Sequence, residues 1–443
     1  MQISQLQGKK IAILGFGLEG QSTLKFLLGH HIKPEDISIL DQNDIERSDL
    51  PADLATIVTW EQYLDGLGAY DLIFKSPGIS PYHAKIARQK AKLTSQVEVF
   101  FANYEWKVIW VTATKGKSTT VTLLYKTLIQ AWLDVKLVWN IGTPVLDEID
   151  LSANHDYIVY ELSSFMLEGF KPKLEIGVLW NIFRCHLDWH NEDYDVYRQA
   201  KVNILEHAKH RLINIDLVSQ FKIPHLRYFG TDGDYMYQNK NFLIHGQSVL
   251  KDENILLKWE HNRINIASVI GVLDVIADWN REDLIAALQH VLAEFSGLPH
   301  RLQEVGTYQG ITCVNDSIST TPESTIQAIK TYMWKTGTLL LGGHNYGFEF
   351  EELAKAVAQS GIKNIVFFPD TGRDIKRAID ATWYEYNSLQ TDSMKDAVTF
   401  AYKHTSSWQI MLLSCASPSF SMYDNYKQRG DDFANQVKMI WNS

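Results

Sequence analysis

The chain has 443 residues, of which 45% are hydrophobic and 21% are charged. This length predicts two or three domains, and the composition is ordinary for a globular protein. The formal net charge of −10 argues against a nucleic-acid partner, because binding a phosphate backbone needs a basic surface.

Three widely spaced cysteines, Cys185, Cys313 and Cys415, do not form the pattern of a disulfide framework. We therefore expect a reducing, cytoplasmic location. No apolar run approaches the roughly 20 residues of a membrane-spanning helix, so we expect no membrane span.

Short apolar runs alternate with helical patterns along most of the chain, which is typical of parallel sheets with crossover helices. The first unit has predicted strands at Ile11–Leu14, Ile37–Leu40 and Leu72–Phe74, and predicted helices at Glu19–Gly29 and Tyr82–Ala91. The pattern restarts at Lys107–Ala113 and again at Gly310–Asn315. Three α/β units therefore fit better than one.

The first motif, Gly15-Phe16-Gly17-Leu18-Glu19-Gly20, follows a predicted strand and opens a predicted helix. Glycines at this spacing let the backbone turn tightly and approach a phosphate at the helix N-terminus. Asp41 ends the next predicted strand, where dinucleotide enzymes place an acid that binds a ribose hydroxyl. The motif indicates a nucleotide site, and a tight turn without a ligand is the alternative.

A second strand–loop–helix segment runs from Thr112 to Thr120 and contains Thr114-Lys115-Gly116-Lys117-Ser118-Thr119. In a phosphate-binding loop, the lysine reaches the terminal phosphate and the hydroxyl holds Mg²⁺, which makes Lys117 and Ser118 the candidates. The strict pattern requires glycine at position 111, which is Val111 here. An ordinary capped helix start stays open as the alternative.

Two further segments carry possible metal ligands. Glu161 follows the apolar strand Tyr157–Tyr160, a position that suits a carboxylate ligand of Mg²⁺ as well as an ordinary edge glutamate. His186, Asp188 and His190 allow a zinc-site interpretation, but no further Cys/His pair with zinc spacing supports it.

These motifs, in this order and over nearly the whole chain, resemble the Mur ligase family. The resemblance implies an α/β protein of three domains. The boundaries predicted from the residues themselves are the polar stretch Ala102–Trp106 and the Gly-Leu-Pro at Gly297–Pro299. The domains would be a Rossmann-like UDP-substrate-binding domain (1–105), a central P-loop ATPase-type domain with a parallel sheet (106–299) and a C-terminal Rossmann-like, amino-acid-binding domain (300–443).

By the same resemblance, many residues fall into three binding groups. The residues that match the UDP-substrate site are Gly15, Gly17, Leu18, Gly20, Asp41, Ser76, Gly78, Asn140 and Ser163. The residues that match the ATP site are Thr114, Lys115, Gly116, Lys117, Ser118, Thr119, Asn262, Asn265, Arg301 and Asp316. The residues that match the amino-acid site are Thr320, Ser419, Phe420 and Tyr423.

The resemblance assigns the chemistry to Lys117, Glu161, His186 and Lys201. Ser118, Glu161, His186 and a carbamylated Lys201 match ligands of two Mg²⁺ ions. The carbamate is needed because a lysine ammonium has no lone pair, whereas carbamate oxygens are hard ligands.

The implied activity is the ATP-dependent addition of glutamate to UDP-N-acetylmuramoyl-L-alanine in peptidoglycan synthesis, through an acyl phosphate and by a monomer. Typical D-glutamate members carry lysines where this chain has Ile318 and Tyr346, and glutamine is common at Met166. D-glutamate is the first expectation, and L-glutamate or another amino acid is the alternative because lost cations weaken binding of a side-chain carboxylate.

Three other functions stay open from the sequence. A folylpolyglutamate-synthase-like ligase would share the ATP loop and Lys201, but not the segments at Gly15 and Ser76. An inactive nucleotide-binding homologue is suggested by Ala113, which replaces the first loop glycine of the family, and is disfavoured because Lys117 and Lys201 are retained. A Rossmann oxidoreductase would explain only the first motif.

Overall fold

The computed structural model describes residues 1–47, 50–104, 107–139, 144–148, 155–171, 174–257, 260–277, 280–345 and 347–441. These residues form two compact units, Met1–Ser296 and Gly297–Ser443. None of the helices in these ranges is long and apolar enough to cross a membrane.

The first unit begins with a parallel sheet whose central strand pairs with neighbours on both sides. Its strands are β1 (Ile11–Leu14), β2 (Ile37–Asp41), β3 (Thr56–Thr59), β4 (Leu72–Lys75) and β5 (Leu93–Thr94), in the order β3-β2-β1-β4-β5. Its helices are α1 (Leu18–Gly29), α2 (Ala84–Ala87) and α3 (Gln96–Asn103). The strand order reverses between β1 and β4, and ligands of open α/β sheets bind outside the carboxyl ends of strands at such a point.

A larger sheet completes the first unit. Its described strands are β6 (Val108–Thr112), β7 (Val135–Val138), β8 (Tyr157–Glu161), β9 (Leu174–Leu179), β10 (Ala208–Asn214), β11 (Leu226–Gly230), β12 (Tyr235–Gln238), β13 (Asn241–Ile244) and β14 (Gln247–Lys251), in the order β14-β13-β12-β11-β10-β9-β6-β8-β7. Its helices are α4 (Lys117–Gln130), α5 (Val145–Glu148), α6 (Ser164–Leu167), α7 (Tyr194–Glu206), α8 (Glu260–Ile276) and α9 (Arg281–Glu294). Strand β6 pairs in parallel with β8 and β9, so the segments after these three strands leave the sheet at one edge.

Buried aromatic side chains join the two sheets of the first unit. The Phe101 ring of α3 lies 4.2 Å from Trp110 of β6, and Trp110 lies 5.6 Å from Tyr160 of β8. Trp110 and Tyr160 are almost completely buried. Aromatic residues bury large apolar areas, so this cluster fixes α3 against the strands that lead to the site.

The second unit is built on another mostly parallel sheet. Its described strands are β15 (Gln303–Tyr308), β16 (Ile311–Asn315), β17 (Thr336–Leu341), β18 (Asn364–Phe367), β19 (Asn387–Gln390) and β20 (Ile410–Leu413), in the order β15-β16-β20-β17-β18-β19. Its helices are α10 (Pro322–Thr331), α11 (Glu351–Ala358), α12 (Gly372–Asp380), α13 (Met394–His404) and α14 (Tyr426–Trp441). Strand β15 pairs antiparallel with β16.

The three sheets confirm the predicted α/β class, and β1, β6 and β16 lie where strands were predicted. The domain boundaries after residues 105 and 299 stay predictions. The helix predicted at Tyr82–Ala91 is wrong over most of its length: α2 covers Ala84–Ala87, and a separate 3₁₀ turn follows at Lys90–Lys92. Ile86 is the one buried residue of α2, so little apolar burial is available to extend that helix.

Candidate active site

A cavity of about 560 Å³ lies within the first unit, at the ends of strands from both of its sheets. The loops after β1, β4, β6 and β8 contribute to its wall, together with the segment after β9 and helix α7. The sequence-predicted residues that line it are Gly15, Gly17, Leu18, Ser76, Gly78, Thr114, Lys117, Ser163, His186 and Lys201. Segments far apart in the chain thus meet around one space large enough for a small ligand.

The glycine motif forms a tight turn between β1 and α1. Gly15 has φ 92°, and a side chain at Gly20 would overlap with the Gly15 carbonyl. The Asp41 carboxylate accepts hydrogen bonds from the backbone N–H of Phe16 (2.5 Å) and of Asn43 (2.8 Å). Asp41 is absent from the cavity wall among the described residues, so its observed role is to support this turn.

The phosphate loop, residues 113–116, joins β6 to α4. Gly116 caps α4 with φ 90°, whereas Ala113 is not among the described residues with a positive φ. The backbone of Ala113 therefore has an ordinary conformation, which accommodates the extra Cβ without strain. Of the ATP-site candidates in this segment, Thr114 and Lys117 line the cavity, whereas Lys115, Gly116, Ser118 and Thr119 do not belong to its described wall.

Two lysines converge on the first residue of this loop. The Lys117 ammonium donates to the Ala113 carbonyl at 2.9 Å, and Lys201 Nζ donates to the same oxygen at 2.8 Å. Lys201 is 2% exposed, and its amine lies 5.2 Å from the centre of the Tyr197 ring. Burial and the nearby Lys117 charge hold the pKa of Lys201 well below its usual value, which favours a neutral, nucleophilic amine.

Tyr197 was not among the residues predicted for the site. It lines the cavity, and its hydroxyl lies 2.6 Å from Thr114 Oγ1. The same side chain thus contacts the phosphate loop and lies beside the Lys201 amine. A tyrosine four residues before a lysine on one helix faces the same side, so spacing on α7 was the available signal.

The candidate metal ligands come from four places: Ser118 is on α4, Glu161 ends β8, His186 follows β9 and Lys201 is on α7. Glu161 is the last residue of β8, is 4% exposed, and pairs in register with Val111 of β6. Burial lowers the pKa of Lys201, and the Glu161 charge partly opposes that lowering. His186 lines the cavity, and its ring centre lies 5.0 Å from that of Phe165.

The zinc-site interpretation gains no support. Within the ranges that the structure describes, no group of three or more His, Cys, Asp and Glu side chains is placed to hold a metal ion. His190 is completely buried, and its Nε2 lies 3.0 Å from Ser164 Oγ. Burial lowers the pKa of His190 to about 4, so this ring is neutral near neutral pH.

Two half-buried ionisable residues at the glycine motif, Glu19 and Lys75, were also missed by sequence reasoning. Glu19 lines the cavity, and burial raises its pKa to about 7, partly opposed by the Lys75 charge. Burial lowers the pKa of Lys75 to about 8, and the Lys75 amine donates to the Ile79 carbonyl at 2.7 Å. Single charged residues in a sequence do not show burial, so no local pattern pointed to this pair.

Asn262 and Asn265 of α8 face the helix that follows the phosphate loop. Asn265 Nδ2 donates to Asn262 Oδ1 at 2.8 Å, and Asn265 Oδ1 accepts from the Thr120 hydroxyl at 3.0 Å. Both asparagines are buried. The structure therefore brings them to the phosphate-loop helix, and their contact with a nucleotide stays a prediction.

The candidate residues of the second unit gather after β16 and β20. The Asp316 carboxylate accepts from Ser319 Oγ (2.6 Å) and Ser414 Oγ (2.8 Å), and burial raises its pKa to about 6. Ser419 is buried, and the Tyr423 hydroxyl donates to Asp432 at 2.6 Å. Of the other candidates, Phe420 and Arg301 are exposed and Thr320 is half-buried.

A buried guanidinium ties these segments together. Arg429 is 2% exposed and donates to the Ser317 hydroxyl, the Ser317 carbonyl and the Ser417 carbonyl at 2.9–3.0 Å. The predicted site residue Asn140 and the substituted position Tyr346 lie outside the described residues.

Comparison with known proteins finds a family match and relatives over nearly the whole chain. Residues 111–224 match the Mur ligase middle domain. A UDP-N-acetylmuramoylalanine–D-glutamate ligase of Clostridium perfringens is 29% identical, over 98% of this chain and 98% of that protein. A UDP-N-acetylmuramoyl-L-alanine–L-glutamate ligase of Xanthomonas campestris pv. campestris is 31% identical, over 98% of this chain and 96% of that protein.

Among solved structures, the MurF ligase of Thermotoga maritima in complex with ADP is similar with a TM-score of 0.53 and 16% identity. The match covers 99% of this chain and 97% of that chain, and at this identity it shows a shared fold. The full-length relatives define the class of the protein as a ligase. The chain belongs to the Mur ligase family.

Proposed function

We propose that the protein joins glutamate to the alanyl carboxylate of UDP-N-acetylmuramoyl-L-alanine, with ATP as the source of energy. The observation that carries the proposal is the single cavity that brings the glycine motif, Lys117, His186 and Lys201 together. The two relatives, whose names describe this ligation, match over almost the whole chain.

The chemistry runs in two steps. The substrate carboxylate attacks the γ-phosphorus of ATP, which breaks the bond to the ADP oxygen and forms an acyl phosphate. The glutamate amine then attacks the acyl carbon, loses a proton and expels inorganic phosphate, which leaves an amide. The first step brings two anions together, so positive charge at the transferred phosphoryl group lowers the barrier.

Lys117 supplies this charge in the proposal. Its ammonium donates to the carbonyl oxygens of Ala113 (2.9 Å) and Thr114 (3.3 Å), which holds it over the phosphate loop at the cavity wall. The first amides of α4 have no acceptor within the helix and are therefore suited to phosphate oxygens.

Magnesium fits the residues at this site. Ser118 and Glu161 offer a hydroxyl and a carboxylate, which are hard donors, and His186 adds an imidazole. Lys201 would join them only as a carbamate, and its depressed pKa favours the neutral amine that reacts with carbon dioxide. When bound, the metal would neutralise phosphate charge. Four points stay predictions: the binding of two Mg²⁺ ions, the role of Arg301 and Asp316 as ATP ligands, a monomeric state and a cytoplasmic location.

Phosphate release tests the proposal directly. The wild-type protein is supplied with ATP, Mg²⁺, UDP-N-acetylmuramoyl-L-alanine and glutamate, and Lys117→Ala is expected to abolish release. Lys126→Ala is the matched control, because Lys126 is an exposed lysine on the same helix. Near-normal turnover by Lys117→Ala would refute the role of this lysine, and no turnover by the wild type would refute the substrate assignment.

The configuration of the amino acid gives a second candidate. D-glutamate is the first choice from the resemblance, and L-glutamate follows because Ile318 replaces a lysine of typical D-glutamate members and a relative at 31% identity is named for L-glutamate. Supplying each enantiomer separately in the same assay decides between them. Turnover with L-glutamate alone would overturn the first choice.

A further inference from the structure

The phosphate loop depends on one side chain outside it, and the inference drawn from this rests on the proposed use of ATP. The loop leaves β6, carries Thr114 and Lys115, and enters α4 at Lys117. Its backbone amides must keep a fixed direction if those at the start of α4 are to surround a phosphate.

Asn181 makes three hydrogen bonds to this loop with one amide group. Its Oδ1 accepts from the backbone N–H of Thr114 (2.9 Å) and of Lys115 (3.0 Å). Its Nδ2 donates to the Lys115 carbonyl at 3.0 Å. The side chain is 5% exposed, so these bonds are shielded from water.

The pattern of donors and acceptors requires an asparagine. Two amides face the side-chain oxygen and one carbonyl faces the side-chain nitrogen, so both ends of the group are used. An aspartate keeps an acceptor for the two amides but has no donor for Lys115, and it adds negative charge beside the place where a triphosphate would bind. An alanine leaves all three backbone groups without this partner.

The backbone around Asn181 strengthens the same link. The Asn181 carbonyl accepts from the Thr114 N–H at 3.0 Å, and the Phe183 N–H donates to the Thr114 hydroxyl at 2.9 Å. This segment continues to His186 on the cavity wall. A shift of the phosphate loop would therefore also move Asn181 and the segment that leads from it to His186.

We propose that Asn181 is a positioning residue for the nucleotide: its amide holds the Thr114–Lys115 backbone so that the amides at the start of α4 face the phosphates. Asn181 itself does not contact the nucleotide in this proposal. Its side-chain oxygen accepts from the Thr114 and Lys115 amides and so fixes the direction in which this backbone enters α4.

The test uses Asn181→Asp and Asn181→Ala in the full chain, with ADP and Mg²⁺ as the probe in titration calorimetry. Both variants are expected to bind ADP about tenfold more weakly or worse, with the larger loss for aspartate because it repels phosphate. The KM for ATP is expected to rise, whereas the KM for the sugar nucleotide stays near the wild-type value.

Asn364→Asp is the matched control. Asn364 is a buried asparagine of the second unit, and its amide also makes three hydrogen bonds, to Gly337, His404 and Asn387. This variant should lose comparable stability in urea unfolding and keep its ADP affinity within about twofold, because all three of its bonds lie within the second unit and none reaches the phosphate loop.

Wild-type ADP affinity in both Asn181 variants would overturn the inference. Equal losses of affinity in Asn181→Asp and Asn364→Asp would overturn it as well, since stability alone would then explain the effect. Loss of cooperative unfolding in both Asn181 variants would assign the residue to folding and also contradict positioning. A wild-type protein that does not bind ADP would instead refute the proposed function itself.

Discussion

Replacing Lys201 by methionine removes an amine from the cavity wall and keeps a side chain of similar length. Lys201 is 2% exposed and donates to the Ala113 carbonyl at 2.8 Å and to Thr112 Oγ1 at 3.4 Å. Burial and the Lys117 charge lower its pKa well below the usual 10.5. Burying this ionisable amine therefore destabilises the folded protein, whereas a buried methionine has no charge to desolvate.

The size of the effect follows from two opposing contributions. Exchanging a buried ionisable group for an apolar one of similar volume stabilises proteins by about 1–4 kcal/mol. Losing the hydrogen bond to Ala113 costs about 1 kcal/mol. We expect Lys201→Met to raise the free energy of unfolding by up to roughly 3 kcal/mol near neutral pH and to abolish ligase turnover.

The pH dependence has a definite sign. Between the lowered pKa of the folded state and the unfolded value of 10.5, the unfolded chain holds a proton that the folded chain has lost. Wild-type stability therefore rises with pH through this window because of Lys201, and the variant lacks this contribution. The stability advantage of Lys201→Met should shrink from about pH 7 to about pH 9.5.

Urea unfolding in buffer depleted of carbon dioxide measures both effects without carbamate formation. Lys126→Met, at an exposed position of α4, is the control and should change stability by less than about 0.5 kcal/mol. A Lys201→Met protein less stable than the wild type, or an advantage that grows with pH, would refute the reasoning. Retained turnover would refute the role of the amine.

Three further predictions concern strain, charge and packing. Trp132 is 94% exposed at φ 62°, so Trp132→Gly should add about 0.5–1 kcal/mol of stability, and an unchanged or lower urea midpoint would contradict this. Burial raises the pKa of Glu19 from 4.5 to about 7, so between these pH values the folded carboxyl retains a proton that the unfolded chain has lost. Wild-type stability therefore falls as pH rises through that range, by at most roughly 3 kcal/mol. Glu19→Gln should flatten this slope in pH-dependent unfolding; parallel curves would count against it. A side chain at Gly177 of β9 would overlap with the Ile204 carbonyl of α7, so Gly177→Ala should lower both the melting temperature and turnover, whereas Gly29→Ala, in open space, should not.

The predictable part of the fold is the part with strong local patterns. Strand β1 and helix α4 begin where the apolar runs and the loop motif predicted. The antiparallel strands β12–β14 were missed, although residues 239–240 and 245–246 have positive φ and form two-residue hairpin turns. Asn-Lys and His-Gly are weaker turn signals than Asn-Gly, so periodicity alone did not separate these short strands.

The site was predictable at the level of motifs and less so at the level of contacts. The resemblance placed Lys117, His186 and Lys201 in one site, and the cavity brings them together. The sequence could not show that Asp41 turns toward the glycine loop, or that Glu19 is half-buried and influenced by the Lys75 charge, since both depend on neighbours distant in the chain.

The shared acceptor at position 113 has an evolutionary consequence. Both Lys117 and Lys201 donate to the main-chain carbonyl oxygen of residue 113, and this oxygen is present whichever amino acid occupies the position. Point mutation at this codon can alter the neighbouring volume but cannot delete the acceptor. Genomic searches that demand glycine at the first position of the motif would therefore pass over this chain, although the acceptor is retained.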